Sequence, residues 1–264
     1  MPDDTQQEFA IALKAFHESS KYSFIIVGVW LDQNRLTQYN GDLAGRVNVV
    51  NADEWQDSEI RDVIHNGEKL LNVTFDEPFI EQVISRCLGS IYVAQEACNQ
   101  ACHKRRVIET QDDGVELGGD IDVAELIENI VDSDSARYES FISQFAGGFR
   151  ETELEMYKYL LLPILLASTE DLKKGLSYAD IKRDLWDHHP HGKNLNLGNL
   201  TLALQAVASL QVSKLKMKPI VLDYDQSGRR LNVVDRGFLI WLGFQDRDKL
   251  VTSLGFDSSN PAAV

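Results

Sequence analysis

Three groups of residues in this chain have types and spacings that could do chemistry. Asp187-His188-His189-Pro190-His191 puts three imidazoles within four positions, and clustered imidazoles can bind zinc. Adjacent residues at a helix end point in different directions, and no Cys or Glu is spaced to complete a tetrahedron. A polar helix terminus, with His favoured by the macrodipole, is therefore the preferred reading. Cys98 and Cys102 share a helix face at i, i+4, with His103 next. They would need ligands from another element to hold a metal, and free Cys is ordinarily a small buried apolar residue. Lys214, Lys216, Lys218, Arg229 and Arg230 gather with Arg236 in residues 205–236, where three Asp leave a net +3. Such a patch can hold phosphates. No Ser-His-Asp or Cys-His-Asn arrangement stands out. No Gly-x-x-x-x-Gly-Lys-[Ser/Thr] loop occurs, so nothing here cradles a β/γ-phosphate.

These groups must be positioned by helices and short strands. Residues 4–19 carry Phe9, Ile11, Leu13, Ala15 and Phe16 on a mostly one-sided apolar face. Ser23-Phe24-Ile25-Ile26-Val27-Gly28-Val29-Trp30 is apolar without alternation, which suits a strand buried on both faces. Arg46-Val47-Asn48-Val49-Val50 reads as a second, short strand. Helical spacing then predicts helices over 57–71, 76–87 and 92–102. Residues 111–120 hold three glycines in a strongly acidic stretch and read as a loop or linker, followed by helices over about 123–131 and 135–145. The order then changes: helices over 151–168, from Ser177 onward and over 196–215, then strands 219–224 and 230–234 around a Gly-containing turn. Three helices before a β-hairpin is the winged-helix order, a variant of helix-turn-helix. Phe238, Trp241 and Phe244 are expected to pack a last helix under the hairpin.

Composition bounds the function. The 264 residues, 44% hydrophobic and 25% charged, fit a soluble globular chain. No apolar run approaches the ~18–20 residues needed to cross a bilayer, and the acidic start does not read as a secretory signal. Three cysteines are an odd number and read as reduced thiols, so a cytoplasmic location is expected. The net charge of −15 all lies in residues 1–150, while 151–264 is neutral. So acidic a chain is a poor non-specific binder of nucleic acid. The candidate recognition helix offers Asn196, Asn199, Thr201, Gln205 and Ser209 but no Arg or Lys.

The chain also resembles the second half of an AAA+ ATPase module of the STAND and origin-recognition/helicase-loader kind. Residues 1–108 carry the resemblance through Phe24-Ile25-Ile26-Val27-Gly28-Val29-Trp30, Asn40-Gly41-Asp42-Leu43-Ala44-Gly45-Arg46-Val47, Trp55, Glu59-Ile60-Arg61-Asp62-Val63-Ile64 and Leu88-Gly89-Ser90-Ile91-Tyr92. It implies a mostly α fold with a small α/β part: an α/β remnant of the AAA+ core over 1–52 and a helical lid over 53–108. An acidic linker with short helices over 109–148, a winged helix over 149–256 and a tail over 257–264 would follow. It also implies that Arg46 could serve a neighbour's nucleotide in trans, as an arginine finger, and it puts Tyr92 where the sensor Arg would stand. The plainer reading of Arg46 is a surface Arg paired with Asp42 or Asp53. With no phosphate loop and no Mg²⁺-holding carboxylate evident, the resemblance implies a truncated, split or degenerate ATPase. ATP and Mg²⁺ belong to the complete family module, and no cofactor is expected on this chain alone. The expected function is a non-catalytic regulatory or assembly protein contacting a nucleotide-bearing partner, sister subunits or DNA, and no membrane. The alternative is a winged-helix DNA-binding regulator with an N-terminal dimerisation or sensing domain.

Overall fold

The computed structural model describes residues 3–19, 21–27, 37, 40–43, 45–48, 50, 55–148 and 154–256. The described residues are mostly helical with a small sheet part, as expected. None of their helices is long and apolar enough to cross a membrane. The chain divides into two compact units, each assembled from two separate stretches.

The first unit takes residues 1–51 and 147–234. Helix α1 (Asp3–Ser19) buries Ala10 and Leu13 with Leu43, and Phe9 packs against them. The apolar run that follows departs from expectation. Residues 23–27 form no strand, and Ile25 and Val27 are 94% and 91% exposed. No neighbouring strand pairs with them among the described residues, so the run lacks what a two-sided buried strand needs. Gly28, Val29 and Trp30 lie outside the described residues. The second expected strand is also absent at residues 46–48 and 50, where Val47 and Val50 are exposed; Val49 lies outside the described residues.

The second unit takes residues 52–146 and 235–264. Its helix α2 (Asp57–Leu71) starts with a capping box of Gln56 and Glu59 and ends at Asn72, whose φ of 54° is left-handed. Strand β1 (Val73–Phe75) follows, then α3 (Glu77–Arg86), capped by Asp76, and α4 (Ile91–Lys104), capped by Ser90. Strand β2 (Val115–Leu117) lies inside the stretch expected to be a linker, and it pairs with β1 in parallel, Val73 to Val115 and Phe75 to Leu117. Gly118 makes this possible. It has a φ of +113°, and a Cβ there would lie 2.6 Å from Asp76 Oδ1 and 2.8 Å from the Cβ of Phe79. Helices α5 (Val123–Asp132) and α6 (Ser135–Ala146) complete the stretch.

The rest of the first unit runs from α7 (Met156–Leu166) through α8 (Thr169–Lys174), β3 (Leu176–Ser177), α9 (Tyr178–His188) and α10 (Leu197–Ser213). Strands β4 (Leu222–Asp225) and β5 (Arg230–Val233) form an antiparallel hairpin, and β3 adds to β5, giving the order β3-β5-β4. The chain then returns to the second unit as α11 (Arg236–Phe244) and α12 (Arg247–Ser253). Phe238 and Trp241 pack within the second unit. Their rings meet Tyr138, with centroids 5.4 Å away in each case, and Phe238 also meets Phe141.

Candidate interaction surface

The residues that the sequence put forward for binding meet around α9, α10 and the hairpin. Ser177 ends β3 and caps α9: its Oγ accepts from the Asp180 N–H at 3.2 Å and donates to Asp180 Oδ2 at 2.6 Å. That hydroxyl is the main cause of an Asp180 carboxyl held below its ordinary range, with Arg183 adding to it. Asn196 caps α10 by accepting from the Gly198 N–H at 2.9 Å. The apolar face of α10 then runs through Leu200, Leu204 and Val207, all buried.

Gln211 continues that face and is itself fully buried. Its Nε2 donates to the carbonyls of Val207 (2.9 Å) and Leu222 (2.7 Å), while its Oε1 accepts from the N–H groups of Val221 (2.7 Å) and Leu222 (3.1 Å). One side chain thus satisfies backbone groups at the start of β4 and fixes the hairpin on α10. Gln211 was not among the residues that the sequence put forward. The available signal was a lone amide at the i, i+4, i+7, i+11 position of an apolar face.

The basic residues are not equivalent. Arg230 turns its Nη1 onto the carbonyls of Gly175 (2.6 Å) and Lys174 (3.3 Å). Arg229 lays its guanidinium 4.4 Å over the ring of Tyr178, and its carbonyl accepts from the Tyr178 N–H at 2.9 Å. Lys216 donates to the Ser213 carbonyl at 2.8 Å. All five, Lys214 and Lys218 included, are exposed. The outward face of α10 carries Leu202, 66% exposed, with exposed Gln205 and Ser209 and half-buried Asn199. Gln205 reaches the turn of the hairpin through Gln226, 3.2 Å away. The structure therefore brings the candidate patch together, but its two arginines bond within the unit and its helix face is uncharged.

The remaining candidates have plainer places. His189 is buried, its Nε2 donating to the Leu154 carbonyl at 2.7 Å and its Nδ1 accepting from the His191 N–H at 3.1 Å. Both ring nitrogens are used, so neither can bind a metal. His188 bonds the Asp184 carbonyl. Among the described residues no group of three or more His, Cys, Asp or Glu could hold a metal ion. Arg46 pairs with Glu18 at 3.5 Å, both half exposed, while Asp42 pairs with Lys14; Asp53 lies outside the described residues. Tyr92 is 65% exposed in the first turn of α4. Arg46 belongs to one unit and Tyr92 to the other.

Set against known proteins, the chain matches no family model, no curated protein and no solved structure.

Proposed function

We propose that the chain is a non-catalytic regulatory or assembly protein, related to AAA+/STAND-like ATPases, whose residues 176–234 act as a winged helix that contacts protein. The order β3, α9, α10, β4, β5, with the sheet order β3-β5-β4, supports the winged-helix part. One observation carries the choice of partner. The outward face of α10 is uncharged around an exposed Leu202, while Arg229 and Arg230 are engaged at Tyr178, Lys174 and Gly175. Both arginines are exposed, but guanidinium groups already bonded within the unit must give up those contacts to grip phosphates. An apolar residue ringed by uncharged polar groups is the pattern of a protein contact.

The exposed run Phe24, Ile25, Ile26 and Val27 supports a second contact, with a nucleotide-bearing partner or a sister copy. A contiguous apolar segment rich in β-branched residues is a template for strand pairing with another chain. Arg46 is proposed to reach that partner's phosphates. Its pair with Glu18 is a surface ion pair of little strength, which a phosphate could displace. ATP and Mg²⁺ would then be carried by the partner. The second reading, a DNA-binding regulator, draws on the exposed Lys214 and Lys218 beside the hairpin.

Two measurements on the full chain test the proposal. In sedimentation velocity, association that rises with concentration and is lost in an Ile25→Asp/Val27→Asp variant is expected. In fluorescence anisotropy with random duplex DNA, no binding at physiological salt is expected. Tight duplex binding together with a monomer at every concentration would favour the regulator.

A further inference from the structure

The second unit contains a pocket of about 320 Å³ between α2 and α4. It is lined by Ile64 and Gly67 of α2, Cys98 and Cys102 of α4, and by Phe75 and Val107. Small-molecule sites commonly begin near this size, ~300 Å³, with apolar walls and a few polar groups at the mouth. Here Gln95, Asn99 and His103 supply those polar groups, and all three are exposed.

Two further observations bear on what the pocket holds. Residues 52–146 carry 21 acidic against 7 basic side chains, yet no Asp, Glu, Lys or Arg lines the pocket. A lining without formal charge in so acidic a stretch favours a neutral occupant, because a charged ligand would be desolvated there without a counter-ion. Gly67 is the second. It lies inside α2, where glycine is a poor choice beside alanine. A Cβ at Gly67 would meet nothing within 4 Å, so no packing inside the chain calls for the glycine. The missing side chain leaves room in the pocket wall.

We propose that this pocket binds a neutral, largely apolar small molecule with an aromatic or branched hydrocarbon body, oriented by a polar end at Asn99 or His103. The thiols of Cys98 and Cys102 suit such a body, since sulfur packs well against ring edges. Burial pushes the Cys98 thiol up to about 12, so it stays neutral against the ligand at physiological pH. The proposal is independent of the winged-helix reading and concerns the other unit.

The probe is uncharged N-phenyl-1-naphthylamine, titrated into the full chain and followed by its fluorescence. A saturable one-site rise is expected, and it should slow iodoacetamide labelling of Cys98. Gly67→Leu fills the gap and is also a better helix former, so its thermal midpoint should not fall while binding weakens by about tenfold or more. Leu70→Ala, on the same helix but outside the pocket, should bind as the parent does. The anionic analogue 1-anilinonaphthalene-8-sulfonate should bind about tenfold more weakly. If Gly67→Leu is destabilised, Val63→Trp at the same pocket takes its place. A non-saturable signal, or equal affinity in the parent and in the folded filling variant, overturns the proposal.

Discussion

Tyr138 donates its phenolic hydroxyl to Asp235 Oδ1 at 3.2 Å, joining residues 97 positions apart. The same oxygen caps α11 by accepting from the Phe238 N–H at 3.2 Å, and Oδ2 faces Arg137 Nη1 at 2.9 Å. Gly237 lets the two come together, since a Cβ there would clash with the Tyr138 hydroxyl oxygen. Burial first, and the Asp235 charge second, raise the Tyr138 phenol well above its ordinary range, so it remains a donor at any ordinary pH. One carboxylate thus ties the C-terminal helices to α6 within the second unit.

Asp235→Ala removes a helix cap, leaves the buried Tyr138 hydroxyl without this acceptor and takes away one partner of Arg137, which should cost about 2–4 kcal/mol. Tyr138→Phe removes one bond and should cost about 1 kcal/mol. Urea denaturation followed by tryptophan fluorescence checks both, because Trp241 packs on Tyr138.

Gln211→Leu should be the most damaging conservative change in the hairpin unit. It keeps the volume but strands the N–H groups of Val221 and Leu222 and a carbonyl of Leu222. Unsatisfied buried backbone groups cost about 1–3 kcal/mol each, so a loss of about 3 kcal/mol or more is expected. Gln211→Glu adds a buried charge and should be worse. Hydrogen exchange at Val221 and Leu222 should report the opening locally.

Asp180 sets an acid-side prediction. The Ser177 hydroxyl, with Arg183 helping, lowers its pKa in the folded state below the unfolded value of 3.8. A lowered carboxylate contributes stability that is present above the unfolded pKa and is lost as pH falls through the folded one. Asp180→Asn should therefore remove part of the acid-side decline in stability below about pH 4. Thermal midpoints measured from pH 6 down to pH 2.5 give the comparison. A parent and variant with parallel curves would show that Asp180 contributes nothing.

Cys98 acts at the other end of the scale. Burial raises its thiol from 9.0 to about 12, with nearby Cys102 and Glu68 adding to it. Between those two values the unfolded chain has lost the proton and the folded chain still holds it. Stability from this group is thus complete below pH 9 and is lost as pH rises toward 12. Cys98→Ser should flatten that alkaline decline. Iodoacetamide should label native Cys98 slowly at pH 8, because the thiolate is the nucleophile.

Helices were the most legible part of the sequence because their signal is local. The i, i+3, i+4 spacing places helices over 57–71, 76–87 and 92–102 and one from Ser177 onward, within a few residues of those observed. Strands depended on partners that sequence order does not reveal. The run at residues 23–27 has every mark of a buried strand but no neighbour to bury it among the described residues. Conversely Val115-Glu116-Leu117 looked like a linker, and it became a strand because Gly118 lets it approach Asp76 and Phe79 closely. Site residues divided in the same way. The positions of Lys214, Lys218, Arg229 and Arg230 near the hairpin were readable. That Arg230 would bond the carbonyls of Lys174 and Gly175 was not, because the bond spans more than 50 positions.

The outward face of α10 is proposed to meet protein and not phosphate. The decisive measurement is fluorescence anisotropy of the full chain on a 20-base-pair duplex across a salt series. With Arg229 and Arg230 engaged within the unit, two or three phosphate contacts from Lys214 and Lys218 and a neighbour are the most to expect. The log–log salt slope should then be roughly −2 to −3, with binding visible only at low salt. Arg229→Ala/Arg230→Ala should leave that slope unchanged, and Leu202→Asp should not touch it. A slope steeper than about −5, with tight binding at physiological salt that the double arginine variant abolishes, would contradict the account and make the hairpin a DNA-gripping wing.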